Sequence, residues 1–306
     1  MLRHSCVAEL LPESEVSRGI AQSGLDFIRA NKSRIRAAAK QTGVAAKMEK
    51  ALRADLGLPP SHQAGADAEL TYPPTYGRFS GRCVAVTSIN PNPARWNRQV
   101  HCVESWSRIG LDVITVNTAE ELDTMPLPPG VTGVVSDIQS TIYDRPTQLM
   151  TSLLRAGAAT GLPSLLINSD IEIHGHYRHL EAALKNQDKL TIGVRYNHES
   201  GQSRQAATRE RSGLDVFLLT PEMISRIPES PFAIGKPVWD YWLPHWARSS
   251  GYTFHWMTDP FYYHETHPLG WSQAEWQLGA NVMLQTYNVR LVSDSAAFRL
   301  SLDDNV

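Results

Sequence analysis

Residues 76–306 of this chain predict an α/β domain, a mostly parallel sheet flanked by helices. Three observations carry that expectation. From Arg82 onward, apolar runs of strand length alternate with segments whose apolar residues recur at helical spacing. Glycines stand where the helices should stop, at Gly110 and Gly161. The composition, 42% hydrophobic and 20% charged over 306 residues, supplies enough apolar side chains for a large core.

The elements follow in order. Residues 83–89 (Cys-Val-Ala-Val-Thr-Ser-Ile) read as a first buried strand. Residues 97–109 read as a helix with Val100, Val103, Trp106 and Ile109 on its apolar face, and Gly110 ends it. Residues 111–116 and 131–135 are the second and third strands. Residues 146–159 form a helix, with Pro146 suited to its first turn. Residues 165–167 (Leu-Leu-Ile) are a fourth strand, 190–195 a fifth and 216–219 a sixth. The resulting β-α-β-β-α-β order calls for parallel strands joined by crossing helices. Residues 197–211 are polar throughout and read as a mobile loop. A later strand is expected over 253–257, and an aromatic helix begins at Asp240.

Residues 1–75 have a different texture. Leu25, Ile28, Ile35, Val44, Met48, Leu52 and Leu56 recur at helix-like spacing, and the polar side carries Arg29, Lys32, Arg34, Arg36, Lys40, Lys47, Lys50 and Arg53. Pro/Gly-rich stretches at 57–61 and 72–75 mark a linker. A solvated face on a helical hairpin accounts for the basic residues; a docking arm for a polyanion is the sharper alternative. Net charge of −2 over the whole chain does not by itself announce nucleic acid or membrane. Cys6, Cys83 and Cys102 cannot make a disulfide framework, and no apolar run approaches the length of a membrane span. A reduced, cytoplasmic setting is therefore expected, with no transmembrane segment.

The chemistry concentrates at strand ends. Asp170 and Glu172 follow the fourth strand two residues apart. On a continuing strand their side chains share a face. Two adjacent carboxylates repel unless a cation lies between them, and a hard divalent ion is the simplest such cation. Thr87, Ser88 and Asn90 end the first strand and Asp137 follows the third, where α/β sheets place nucleotide ligands. Gly235 allows close backbone approach, Lys236 offers a positive charge, and Asp240 at a helix start is a base or an acceptor clamp. His264 and His267 lie three apart before Pro268; either can complete a metal site begun by Asp170 and Glu172. Five of the eight tryptophans fall within residues 239–271, which suits a core or a sugar-stacking wall (Trp239, Trp242, Trp246 and Trp271). The chain has neither a Gly-x-Gly-x-x-Gly nor a Walker A run.

Taken in order, these segments resemble the GT-A glycosyltransferase family over residues 82–284. The resemblance implies a Rossmann-like, GT-A-like sheet that binds a nucleoside-diphosphate sugar, with an N-terminal helical extension outside it. It implies that Asp170-Ile171-Glu172 takes the place of the family's Asp-x-Asp, holding Mn²⁺ or Mg²⁺ against the diphosphate. Gly235 and Asp240 take the place of its glycine-rich loop and acceptor-side acid, and His264 or His267 that of its late metal-binding His. The second acid is Glu rather than Asp, and the loop has a single glycine. The implied activity is transfer of a sugar to an acceptor hydroxyl. Three alternatives stand beside it: a nucleotidyltransferase on a similar sheet, a metal-dependent hydrolase built on Asp170, Glu172 and His174 with His176 and His179 nearby, and a non-enzymatic polyanion-binding module.

Overall fold

The computed structural model describes residues 83–140, 142–143, 147–210, 213–268, 270–289 and 291. The basic helical extension and linker expected over 1–75 lie outside them, as does Pro146.

In chain order the strands among the described residues are β1 (Val84–Thr87), β2 (Asp112–Asn117), β3 (Val131–Val135), β4 (Gln139–Ser140), β5 (Thr147–Gln148), β6 (Ser164–Ile167), β7 (Ile171–Ile173), β8 (Lys189–His198), β9 (Thr208–Arg209), β10 (Val216–Leu219) and β11 (Thr253–Glu265). The helices are α1 (Pro93–Arg108), α2 (Ala119–Thr124), α3 (Met150–Ala158), α4 (Arg178–Leu184), α5 (Pro221–Ser225), α6 (Trp239–Ser249) and α7 (Gln273–Tyr287). The class is α/β, as the alternating pattern predicts. α1 begins four residues earlier than the periodicity indicates, because Asn92 caps it by accepting from the Ala94 N–H and Pro93 occupies its first turn.

Among the described residues the main sheet has nine strands, in the order β3-β2-β1-β6-β10-β8-β11-β7, with β9 paired to the end of β8. It is mixed, which corrects the expectation of a mostly parallel sheet. Four pairings are parallel (β1 with β2 and with β6, β2 with β3, β8 with β11) and four are antiparallel (β10 with β6 and with β8, β7 with β11, β8 with β9). The cause lies in the connections. A parallel pair needs a crossover, usually a helix, and among the described residues of the polar segment between β8 and β10 the only helical element is a single 3-10 turn, Arg204–Ala206. The chain therefore returns beside β8 in the opposite sense.

Both faces of the sheet are covered. Val84 and Val86 of β1 join one apolar cluster with Met150, Leu153 and Leu154 of α3 and Trp239, Trp242 and Leu243 of α6. Cys83 and Ala85 alternate to the other face, against Cys102, Val103 and Trp106 of α1 and Leu180 of α4. The helix after β1 and the helix before β6 thus lie on opposite faces. Between the carboxyl ends of β1 and β6 the strand order reverses, and α/β sheets open a ligand crevice at that point.

One strained residue sits in the core at the start of α6. Val238, the N-cap of α6, has φ 83° and ψ −21°, a left-handed conformation that is an outlier for a β-branched side chain. It is held against Gly279 of α7: a Cβ there would lie 2.7 Å from Val238 Cγ2 and 3.1 Å from its Cβ. Gly279→Ala is accordingly expected to destabilise the fold by about 1–3 kcal/mol through overpacking, measured by chemical denaturation. An unchanged midpoint would show that the loop before α6 relaxes freely.

Candidate metal centre

Asp170 is positioned by a turn. β6 ends at Ile167, the Ile171 N–H donates to the Asn168 carbonyl at 3.1 Å, and the chain turns into β7. Asp170 therefore lies in a turn and not on a continuing strand, so the alternation that would put it on one face with Glu172 does not operate. β7 pairs antiparallel with the far end of β11, with His264 opposite Ile171 and Tyr263 opposite Glu172. That register carries His264, a strand residue, to the side of Asp170. The chain beyond β11 brings His267 back to the same point.

The outcome is a group of three ligand atoms. His267 Nε2 is 3.0 Å from Asp170 Oδ2, His264 Nε2 is 3.8 Å from the same oxygen, and the two Nε2 atoms are 3.3 Å apart. One ligand atom from each residue lies within 4.8 Å of the others, and among the described residues this is the one such group of three or more His, Cys, Asp and Glu. His264 is buried, and the side chains of Asp170 and His267 are about a fifth exposed. His267 Nδ1 lies 2.8 Å from the Pro268 carbonyl, which can only accept, so the Nδ1 proton is fixed; Nε2 donates to Asp170 when the ring is protonated and carries the lone pair when it is neutral. This is the outer support that metal-binding imidazoles usually have. Burial opposes the charge on Asp170, but hydrogen bonds and charge from His264 and His267 outweigh it and hold the carboxyl well below the usual carboxylate range. The hydrogen bond to Asp170 raises the His267 imidazole above its ordinary value. A carboxylate and two imidazoles converging on one point is a donor set that fits a divalent transition metal.

Glu172 stands outside this group. Its carboxylate accepts from Arg204 Nε at 2.8 Å and from Arg204 Nη2, and His101 Nε2 lies 3.4 Å away. His174 and His176 are exposed, and His179 packs on the Phe261 ring at 5.0 Å, so the histidines after β7 do not converge with Asp170.

The walls of the crevice come from residues that local sequence did not single out. Gln99 of α1 ties the β1 exit loop to the Asp170 turn. Asp215, just before β10, accepts from Asn168 Nδ2 at 2.6 Å and pairs with Arg195 of β8. Arg98 of α1 pairs with Glu265. The Arg95 side chain, in the first turn of α1, makes no hydrogen bond or ion pair among the described residues; its guanidinium lies beside Gly270, and its charge acts on His267. The one available signal for Arg95 is the helix start after the first strand, which the apolar periodicity places four residues too late; Arg98 and Gln99 fall inside the predicted helix, where the apolar pattern does not mark them.

No protein-family model matches this chain, and no curated protein matches its sequence.

The remaining expected site residues are dispersed. Thr87 is fully buried, and its Oγ1 has no hydrogen-bond partner. Ser88 is half-buried near Asn117 Nδ2, at 3.5 Å. Asn90 and Asp137 are exposed at the strand ends. Gly235 adopts φ 71° in an exposed turn. Lys236 faces inward and donates to Glu275 Oε1 at 2.8 Å, tethering its loop to the first turn of α7. Trp239, Trp242 and Trp246 are core residues, and only Trp271 of the proposed wall is partly exposed.

Asp240 lies in the first turn of α6, where its Oδ2 accepts from the Leu214 N–H at 3.4 Å. Burial, then the negative charge of Asp215, raise its carboxyl to about 7, against smaller lowering by the Leu214 amide and Arg195. Asp215 thus adjoins both the Asp170 turn and Asp240. No helix among the described residues is long and apolar enough to cross a membrane.

Proposed function

We propose that this chain is a metal-dependent glycosyltransferase that moves a sugar from a nucleoside-diphosphate sugar to an acceptor hydroxyl. The observation that carries this reading is the convergence of Asp170, His264 and His267 beside the β1/β6 switch point. Strands β3-β2-β1-β6 have the order of a mononucleotide-binding half, which supports a Rossmann-like, GT-A-like assignment of the mixed sheet. Asp170, His264 and His267 would hold the metal, which when bound would supply Lewis-acid neutralisation of negative charge on a diphosphate leaving group. Two imidazole nitrogens favour Mn²⁺ over Mg²⁺, whose preference is for oxygen ligands. Ser88, Asn90 and Asp137, at the ends of β1 and β3, would meet the nucleoside. Arg95 supplies positive charge beside His267. In an inverting reaction Asp240 takes the acceptor proton, for which a carboxyl titrating at about 7 is well matched. In a retaining reaction it orients the acceptor.

One carboxylate with two imidazoles also suits zinc, and that donor set favours a metal-dependent hydrolase as the second reading. A screen of UDP- and GDP-sugars with Mn²⁺, Mg²⁺ or EDTA separates the two. Metal-dependent release of a nucleoside diphosphate, abolished by EDTA, is the expected result. Release of sugar phosphate, or no turnover with any metal, would overturn the transferase reading.

A further inference from the structure

Gln99 is 2% exposed and lies two turns into α1, on the buried face it shares with Cys102, Val103 and Trp106. Burying a primary amide is costly unless its hydrogen-bonding groups find partners, and this one is well supplied. Its Oε1 accepts from the Asn90 N–H at 2.7 Å, and its Nε2 donates to the Asn90 carbonyl at 2.8 Å. The side chain thereby imitates a neighbouring strand against one peptide of the β1 exit loop. The same Oε1 accepts from Ser169 Oγ at 2.7 Å. Ser169 is the residue between Asn168, held by Asp215, and Asp170. The three-residue turn that aims Asp170 is therefore pinned on one side by Asp215 and on the other by Gln99. Through Gln99 that turn is joined to the loop forming the opposite wall of the switch-point crevice.

We propose that Gln99 is a positioning residue that orients Asp170 for metal binding and couples the metal centre to the β1 loop, so that a nucleoside diphosphate held at that loop and a metal held by Asp170, His264 and His267 bind cooperatively. The inference rests on the metal-site reading above. Its physical content is a single shared acceptor: Oε1 serves the Asn90 amide and the Ser169 hydroxyl together, so displacement of either wall is transmitted to the other. Outer partners of metal ligands typically change metal affinity by about 10–100-fold when removed.

The test measures Mn²⁺ dissociation constants by electron paramagnetic resonance, with and without UDP or GDP, for the full chain and its variants. Gln99→Leu is expected to weaken Mn²⁺ binding by about tenfold or more and to abolish the tightening of Mn²⁺ by the nucleoside diphosphate. Ser169→Ala, which deletes one hydrogen bond on a half-buried serine, is expected to weaken Mn²⁺ severalfold. Ser169→Thr, which keeps the hydroxyl, restores wild-type affinity. The double variant Gln99→Leu/Ser169→Ala is expected to be no weaker than Gln99→Leu alone, because both remove the same link. Should Gln99→Leu fail to fold, the Ser169 pair decides the matter. Dissociation constants within twofold of wild type in the folded single variants, or retained nucleotide coupling in Gln99→Leu, overturn the inference while leaving the metal site standing. A wild-type chain that binds no Mn²⁺ overturns both.

Discussion

Replacing Asp170 by Asn is expected to weaken Mn²⁺ binding more than about a hundredfold, beyond the loss that outer partners of a ligand produce, and, on the proposed transferase reading, to abolish metal-dependent donor hydrolysis. The neutral amide has the carboxylate's shape, so the turn on Asn168 and Ser169 persists and only the charge is lost. His264→Ala and His267→Ala are expected to act in the same direction, since each supplies one of the three converging atoms. Glu172→Gln serves as the counter-test. Its carboxylate is engaged by Arg204 and His101, so the expected result is Mn²⁺ affinity within a few-fold of wild type and a loss of stability of about 1–3 kcal/mol from the broken charged hydrogen bonds. A hundredfold loss of Mn²⁺ binding in Glu172→Gln would restore the acid-x-acid arrangement that the sequence predicts. Calorimetric titration of the four variants distinguishes these outcomes.

The second large effect concerns Asp240. Its folded carboxyl titrates at about 7 against an ordinary value of 3.8. The raised value means that the native state holds a proton the unfolded chain releases. The stability this provides is fully present below about pH 3.8, erodes as pH rises and is gone above about pH 7. Three units at 1.36 kcal/mol each set a ceiling on the order of 4 kcal/mol, reduced because the residue is partly exposed to water. Asp240→Asn should therefore flatten the fall in stability between pH 4 and 7, measured by denaturation at a series of pH values. A wild-type fall that survives in the variant would place the titration elsewhere. If Asp240 is the base, transfer in Asp240→Asn falls by about 10²–10⁴-fold with donor binding spared, and wild-type activity rises with pH through about 7. Asp215→Asn removes the neighbouring negative charge and is expected to move that midpoint downward, readable by carbon NMR of the Asp240 carboxyl. Lost donor binding in Asp240→Asn would end its role as an acceptor-side group.

The strands were legible where burial was continuous. Residues 83–89, 165–167 and 216–219 are short apolar runs, and each holds a strand because a run of that kind must be covered on both faces. Helices with mixed polarity escaped notice: α2 is held by a capping box between Thr118 and Glu121 with no buried residue, and α7 has apolar groups around much of its circumference. β7 is three residues long, and β11 continues well past its expected end because it pairs along the whole of β8.

By itself, the sequence determined that an α/β sheet with helices on both faces would form, and it pointed to a metal site of Asp170 and Glu172 completed by His264 or His267. Periodicity and residue type are local properties, and these conclusions needed nothing else. Only the tertiary structure decided which groups meet. It reversed β10 and made the sheet mixed. It turned the chain at Asn168, so that Asp170 meets two histidines almost a hundred residues away while Glu172 is drawn to Arg204. It buried Lys236 on Glu275 and set Asp215 beside Asp240. Such pairings depend on strand register and on where a turn releases the chain, and both are settled by contacts between segments distant in sequence.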